Sequence, residues 1–349
     1  MTIVLPVTEH SQISAARQAA TREAQRLGFD TTGTSNVAIV ATEMATNLAK
    51  HARDGQFLLR ALLESGVAGL ELLALDRGPG MASVTACLRD GFSTSGSPGT
   101  GLGAIVRLAA MQEIYSVPGQ GSAQLARLWA QAARETMSAP AFELGAICVP
   151  APREQVCGDD WHVETGAGRA LLALADGLGH GPEAMKAARE AVRNVQANPA
   201  LEPSKIMRRI HGALRATRGA AVAVTEIDSA RQTLTYCGVG NIAGRILGRD
   251  HARMLVSHNG TAGQDSPRIE AFSYPFAADE LLVLHSDGLQ SRWNLESYPG
   301  LAARHPSLIA GVLYRDFLRG RDDACVLVLR RRPGRPEGES LARSDKGVR

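Results

Sequence analysis

A short segment of small and polar residues, Ala132 to Pro140, separates two stretches of this chain that each run through a full set of strand-like and helix-like patterns. A chain of 349 residues, at roughly 100 to 200 residues per domain, then divides into two domains with a boundary near residue 137. The expected units are residues 1–137, residues 138–331 and a polar tail, 332–349, that stays disordered. Each unit is expected to carry its own core and to fold by itself.

In the first stretch a β-like run from Ile3 to Val7 precedes a helix over Ser11 to Leu27, where Ile13, Ala16, Ala20, Ala24 and Leu27 recur at helical spacing before Gly28. A second helix is expected from Ser35 to His51, with Val37, Val40, Met44 and Leu48 along one stripe. Phe57 to Leu63 and Leu70 to Leu75 read as strands, a helix resumes after Gly103, and a hairpin over Ile114 to Val117 and Ala123 to Trp129 closes the unit. In the second stretch, strand-like runs at Phe142 to Val149, Arg169 to Ala175, Ala220 to Ile227, Thr233 to Cys237, Ala243 to Leu247, Leu281 to His285 and Ala324 to Leu329 outnumber two helices, Pro182 to Ala197 and Pro203 to Ala216. Many strands with few helices between them give an α+β fold with mainly antiparallel sheets.

Composition excludes several function classes. With 44% apolar and 21% charged residues the chain is neither generally disordered nor a coiled-coil rod, and 4% aromatics are too few to line a base-stacking groove. The net charge of +3 lies in the tail, so neither folded unit carries the basic excess of a phosphate-backbone binder, and no nucleic acid is expected. Five cysteines stand far apart without a Cys-x-x-Cys pair, which argues against a disulfide framework or a zinc site. The start of the sequence has no apolar leader core, and no stretch approaches 18 apolar residues, so a reduced, cytoplasmic, soluble protein without a membrane partner is expected.

Glu43 and Asn47 are four apart on the second helix and project from one face. Asp76-Arg77-Gly78-Pro79-Gly80-Met81 follows a strand, and Gly99-Thr100-Gly101-Leu102-Gly103 opens a helix. A glycine-rich turn at a helix start offers free N–H groups and a positive dipole end to phosphates, and a carboxylate before glycines suits a base edge approached closely. In this order the three motifs resemble the N, G1 and G2 boxes of the histidine kinase-like ATPases with the Bergerat-type α/β sandwich. Asp90-Gly91-Phe92-Ser93-Thr94-Ser95-Gly96 between the glycine boxes resembles the small serine kinases of the RsbT type in bacterial partner switching. The resemblance covers about residues 1–135 and implies bound ATP with Mg2+. It makes Asn47 the metal ligand, Asp76 the adenine acceptor, Glu43 the base beside the attacking serine hydroxyl, and Gly78, Gly80, Gly99, Thr100, Gly101, Leu102 and Gly103 the pocket and its lid. Gly121-Ser122 stands where that family usually has Gly-Thr, a change that keeps the hydroxyl.

In the second unit, Asp159-Asp160, Asp176-Gly177, Asp287-Gly288 and Asp322-Asp323 stand at strand ends. Each alone reads as a hairpin corner; gathered together, such carboxylates repel unless divalent cations sit among them. Oxygen-rich sites suit Mg2+ or Mn2+, and a pair of such ions can activate water and clamp a phosphoryl group. Cys157-Gly158-Asp159, Ala175-Asp176-Gly177-Leu178-Gly179-His180-Gly181, His285-Ser286-Asp287-Gly288 and Arg321-Asp322-Asp323-Ala324 resemble the metal-dependent protein phosphatases of the SpoIIE and RsbX type, whose fold is an α-β-β-α sandwich. The resemblance spans about residues 140–330 and implies two Mn2+ or Mg2+ held by Asp159, Asp176, Asp287 and Asp322, with the Gly177 carbonyl and Asp323 beside them. His180 either donates a proton to the leaving serine oxygen or caps a turn; His162, His285 and His305 read as structural or surface residues. No arginine is assigned to the phosphoryl group.

Together the halves imply a serine kinase and phosphoserine phosphatase acting on a STAS-domain anti-sigma-factor antagonist or stressosome-like protein. The alternative keeps the phosphatase and makes the ATP-binding unit a docking, anti-sigma or gating module without phosphoryl transfer.

Overall fold

The computed structural model describes residues 1–87, 101–130, 141–166, 168–264 and 267–332. The boundary near residue 137, the Asp90 to Gly96 motif and the tail beyond Arg332 lie outside the described residues.

The first unit contains β1 (Ile3–Pro6), α1 (Ile13–Arg26), α2 (Thr31–His51), β2 (Gln56–Glu64), β3 (Val67–Asp76), α3 (Val84–Cys87), α4 (Gly101–Leu108), β4 (Met111–Ser116) and β5 (Ser122–Trp129). Its strands form one antiparallel sheet in the order β1-β2-β3-β5-β4. Helix α2 starts at Thr31, four residues before the expected Ser35, because the Asp30 side chain accepts the Gly33 N–H at 2.6 Å and caps the first turn.

The second unit contains β6 (Phe142–Val149), β7 (Asp159–Thr165), β8 (Arg169–Gly177), α5 (Pro182–Gln196), α6 (Pro203–Ala213), β9 (Ala220–Asp228), β10 (Thr233–Val239), β11 (Ala243–Leu247), β12 (Ala252–Met254), β13 (Ser257–His258), β14 (Phe272–Pro275), β15 (Leu281–His285), α7 (Pro306–Phe317) and β16 (Ala324–Arg331). Two sheets result. One runs β13-β10-β9-β8-β7 with β14 also on β10, and the other runs β12-β11-β15-β16-β6. All these pairings are antiparallel except the short β10–β13 pair.

Side-chain alternation stacks the layers. Leu70, Leu72 and Ala74 of β3 face α1 and α2, whereas Leu73 and Leu75 face the opposite way, toward α7. Leu281 and Val283 of β15, with Val326 and Val328 of β16, meet α7 from its other side; Leu282, Leu284, Cys325 and Leu327 turn inward onto Leu172, Leu174 and Tyr236 of the facing sheet. Helices α5 and α6 cover that sheet's far face through Ala187, Ala191, Ile206 and Ile210. The order is helices, sheet, α7, sheet, sheet, helices.

The shared layer departs from the expectation of two separate cores. Helix α7 is buried from Pro306 through Arg315, with a sheet of the first unit on one side and a sheet of the second on the other. Glycines set both approaches: a Cβ at Gly311 would stand 2.8 Å from Leu73 Cδ2 and 2.9 Å from Leu75 Cδ2, and one at Gly145 of β6 would overlap the backbone of Pro306 and Ser307. A buried polar core reinforces the seam. Glu71 accepts from Arg60 Nε at 2.9 Å, Arg127 Nε at 2.8 Å and Ser307 Oγ at 2.7 Å, and Arg127 also donates to the Leu144 carbonyl at 3.0 Å. Burial pushes the Glu71 carboxyl up, but the Arg60 and Arg127 charges outweigh it and hold it at about 2.

Candidate functional site

Glu43 and Asn47 lie half-buried on α2, one turn apart, beside the buried Met44, Ala45 and Leu48. Gly101 begins α4 against the Glu43 carboxylate, so tightly that a Cβ there would collide with Glu43 Oε2. A carboxylate at a helix start occupies the electrostatic position that suits phosphate oxygens. Gly103 is buried and Leu102 packs against the α1–α2 core. Gly99 and Thr100 lie outside the described residues.

Asp76 ends β3, and its Oδ1 accepts the Gly78 N–H at 2.6 Å. Burial raises its pKa although Gly78 and Ser122 backbone donors and the Arg315 charge pull it down. Three glycines let the backbone close around it. A Cβ on Gly78 would lie 2.8 Å from both Asp76 Oδ1 and the His51 carbonyl; Gly80, at φ +71°, abuts the Val117 carbonyl; Gly121, at φ +79°, abuts the Asp76 carbonyl. The Ser122 hydroxyl lies 2.9 Å from Ser116 Oγ, which accepts the Met81 N–H at 2.8 Å. The serine that stands for threonine therefore ties the strand end to the first glycine loop.

In the second unit the β7–β8 register sets Asp159 directly opposite Asp176, although 17 positions separate them in sequence. Asp287 follows β15 by two residues, and Asp322 and Asp323 directly precede β16; these two strands pair with each other. The Asp159 carboxyl is pushed well up, by burial first and then by the Asp176 charge, and Asp176 is raised to about 7 by burial and by Asp287, Asp322 and Asp323. Mutual repulsion at this strength marks carboxylates that share one space. Asp159 Oδ2 accepts from Ser286 Oγ at 2.6 Å, and Asp323 Oδ1 accepts the Ala151 N–H at 2.9 Å. Asp159 Oδ1 and Asp323 Oδ2 are buried without a hydrogen-bond partner. Orphaned carboxylate oxygens in a repelling cluster fit a divalent cation, although among the described residues no three His, Cys, Asp or Glu side chains converge on one point.

Asp322 turns its Oδ1 to the Asp323 N–H at 2.9 Å, and Asp323 is the more buried of the two. Gly177 and Gly288 have no room for side chains: a Cβ would overlap the Ala184 and Asp323 carbonyls respectively. His180 is exposed and pairs through Nδ1 with Glu154 Oε1 at 2.6 Å, while Gly181, at φ +77°, precedes Pro182 and α5. His285 is buried, with Nδ1 on the Ser286 carbonyl and Nε2 accepting from Trp293 Nε1 at 3.1 Å, and His305 is buried at the start of α7. Sequence reasoning missed Ser286, Glu154 and Asn241, whose Nδ2 donates to Asp287 Oδ2 at 2.7 Å. Only Ser286 carried a signal, since it sits inside a motif; Asn241 and Glu154 meet partners 46 and 26 positions away.

Comparison with known proteins places both segments of the chain in families. Residues 6–126 match the histidine kinase-like ATPase domain and residues 166–332 match the stage II sporulation protein E family, SpoIIE. The serine/threonine-protein kinase RsbT of Bacillus subtilis (strain 168) is 36% identical over 117 residues, which is 34% of this chain and 88% of that protein. The chain belongs to the RsbT type of histidine kinase-like ATPases. Behind that domain it carries a SpoIIE-type protein phosphatase domain. The phosphoserine phosphatase RsbX of the same organism is 31% identical over 90 residues, 26% of this chain and 45% of that protein. A solved structure from the bacterial stressosome, described as a modular system adapted to control secondary messenger signaling, superposes with a TM-score of 0.52 at 27% identity, covering 54% of this chain and 99% of that one. An ATPase domain implies ATP and a phosphatase domain of this class implies a divalent metal. Among the described residues, no helix is long and apolar enough to cross a membrane.

Proposed function

We propose that this chain is a two-way switch on a serine: the RsbT-type domain phosphorylates it from ATP, and the SpoIIE-type domain removes the phosphoryl group. The substrate class is a STAS-domain anti-sigma-factor antagonist or a stressosome-like protein. The observation that carries the reading is the placement of Asp159, Asp176, Asp287, Asp322 and Asp323 at the ends of two pairs of neighbouring strands, with one oxygen each of Asp159 and Asp323 buried and left unbonded. Asp159, Asp176, Asp287 and Asp322 would hold two Mn2+ or Mg2+, with the Gly177 carbonyl and Asp323 alongside. Such ions supply charge neutralisation for the phosphoryl group and an acidified water. In the other domain Asn47 would hold Mg2+, Asp76 would accept from the adenine amino group, and Glu43 would orient the serine hydroxyl or take its proton.

The test is mass spectrometry of a purified STAS-domain protein incubated with the full chain, first with ATP and Mg2+, then with ATP removed and Mn2+ supplied. One serine should gain and then lose a phosphoryl group. No gain would sink the kinase half, and no loss the phosphatase half.

A second reading, in which ATP gates the phosphatase, is favoured by one contact. Arg315 of α7 donates to the Asp76 carbonyl at 2.8 Å and to the Ser122 carbonyl at 3.3 Å, while Arg77 beside Asp76 returns a hydrogen bond to the Arg315 carbonyl. Helix α7 therefore touches the backbone of the expected adenine-binding residue. On this reading a non-hydrolysable ATP analogue changes the phosphatase rate severalfold, and Arg315→Lys, which cannot serve both carbonyls and Asp316 together, abolishes that change. An analogue without effect on the wild-type rate would refute the gating reading.

A further inference from the structure

Five carboxylates stand at the strand ends of the expected phosphatase site, and a phosphoryl dianion entering it would gain from a fixed cation of the protein's own besides any metal. We propose that Arg319 binds the substrate's phosphoryl group, an inference that rests on the phosphatase reading. Two backbone hydrogen bonds place it. The Arg319 N–H donates to the Gly288 carbonyl at 2.8 Å and the Gln290 N–H donates to the Phe317 carbonyl at 2.8 Å, which together pair Leu289 with Leu318 in an isolated antiparallel bridge. The segment leaving α7 is thereby laced to the three residues that follow Asp287, and Arg319 stands across from the Asp287-Gly288 step.

The side chain is exposed and makes no ion pair or hydrogen bond among the described residues. The Arg319 backbone stands at the site, since the Gly288 carbonyl that accepts its N–H belongs to the residue after Asp287. The side chain does not pair with Asp287, whose Oδ2 already accepts from Asn241 at 2.7 Å. Arginines with a structural role in this chain behave otherwise: the forks of Arg60, Arg127 and Arg315 are spent on carboxylates and carbonyls. An arginine whose backbone is fixed next to the Asp287-Gly288 step, with its planar set of donors unspent, can offer a phosphoryl group a bidentate partner.

The experiment uses the full chain with Mn2+ and p-nitrophenyl phosphate, and inorganic phosphate as competing ligand. Arg319→Gln should raise both KM and the inhibition constant of phosphate about tenfold or more, with a smaller change in kcat, and Arg319→Lys should recover part of the loss. Mn2+ affinity, read by calorimetry, should be unchanged in both. Arg26→Gln, which removes the same charge from an exposed ion pair on α1, should behave as wild type. Arg319→Gln with KM and phosphate inhibition near wild type would overturn the proposal. So would an effect shared by Arg26→Gln, a loss confined to Mn2+ affinity, or the same effect appearing instead in Arg218→Gln, whose guanidinium lies near Gly179. A wild-type chain without Mn2+-dependent turnover refutes the phosphatase reading itself, and this inference with it; turnover in wild type with an indifferent Arg319→Gln refutes the inference alone.

Discussion

Glu43 illustrates how one residue acquires a role from its surroundings. A pocket that only binds nucleotide has no use for a carboxylate against the first residue of α4, because it repels phosphate oxygens. Glu43→Gln keeps the shape and removes the charge, so phosphorylation of a partner serine should fall by at least about a hundredfold while ATP affinity, read by calorimetry, holds or tightens. Asp176 shows the opposite side of the same economy. The cluster around it repels itself when metal is absent, so Asp176→Asn should abolish Mn2+-dependent hydrolysis yet raise the melting temperature in chelator by a few degrees, about 1 kcal/mol or more at this chain length. A variant that hydrolyses normally would remove Asp176 from the metal site.

At the scale of elements, α7 decides how the halves relate. A surface helix betrays itself by an apolar stripe, but Pro306 to Phe317 is apolar nearly all round because layers press on it from two sides. That is why its sequence carried no 3.6-residue rhythm to find. The strand β7 was also missed: Trp161 and Val163 alternate with His162 and Glu164 and face the core, but two apolar positions between Asp159 and Thr165 are too few to mark a strand. Gly311 is the pressure point. Gly311→Val would drive methyl groups into Leu73 and Leu75, which should cost about 1–3 kcal/mol of stability in denaturant titration; an unaltered midpoint would mean the seam is looser than the contacts at Gly311 require.

At the scale of the whole molecule the seam has a pH signature. His305 caps α7, its Nδ1 accepting the Ser307 N–H at 3.1 Å, and burial, aided by the Arg127 charge, lowers its pKa from 6.5 to about 3. A base with a depressed folded pKa gives up stability as pH falls below its unfolded value, here from about pH 6.5 downward to 3, because the unfolded chain takes the proton first. Glu71, held at about 2 against an ordinary 4.5, loses its contribution in the same direction at lower pH. The phosphatase carboxylates carry the opposite sign, so the comparison is wild type against His305→Asn, which retains a capping acceptor. Between pH 7 and pH 5 the wild type should lose about 1–2 kcal/mol more than the variant, measured by thermal unfolding in chelator. Equal losses would show that His305 is not held neutral by the seam.

Local chemistry made part of this protein readable in its sequence. Apolar strands that end in Asp-Gly and glycine turns that open a helix are written in adjacent residues, since turn geometry, backbone freedom and strand burial act over a few positions. The edges of β11 and β15 fell where the pattern put them for that reason. Tertiary structure alone decided which carboxylates face each other, which oxygens are left unbonded and which segments lie beside them. Asp159 meets Asp176 through strand register, Asn241 meets Asp287 across 46 positions, and the backbone of Arg319 meets Gly288 because a buried helix ends there. It also decided that two units with separate patterns share a core. A strand's alternation shows that a face must be covered, whereas what covers it depends on which apolar surface elsewhere in the chain has no other place to go.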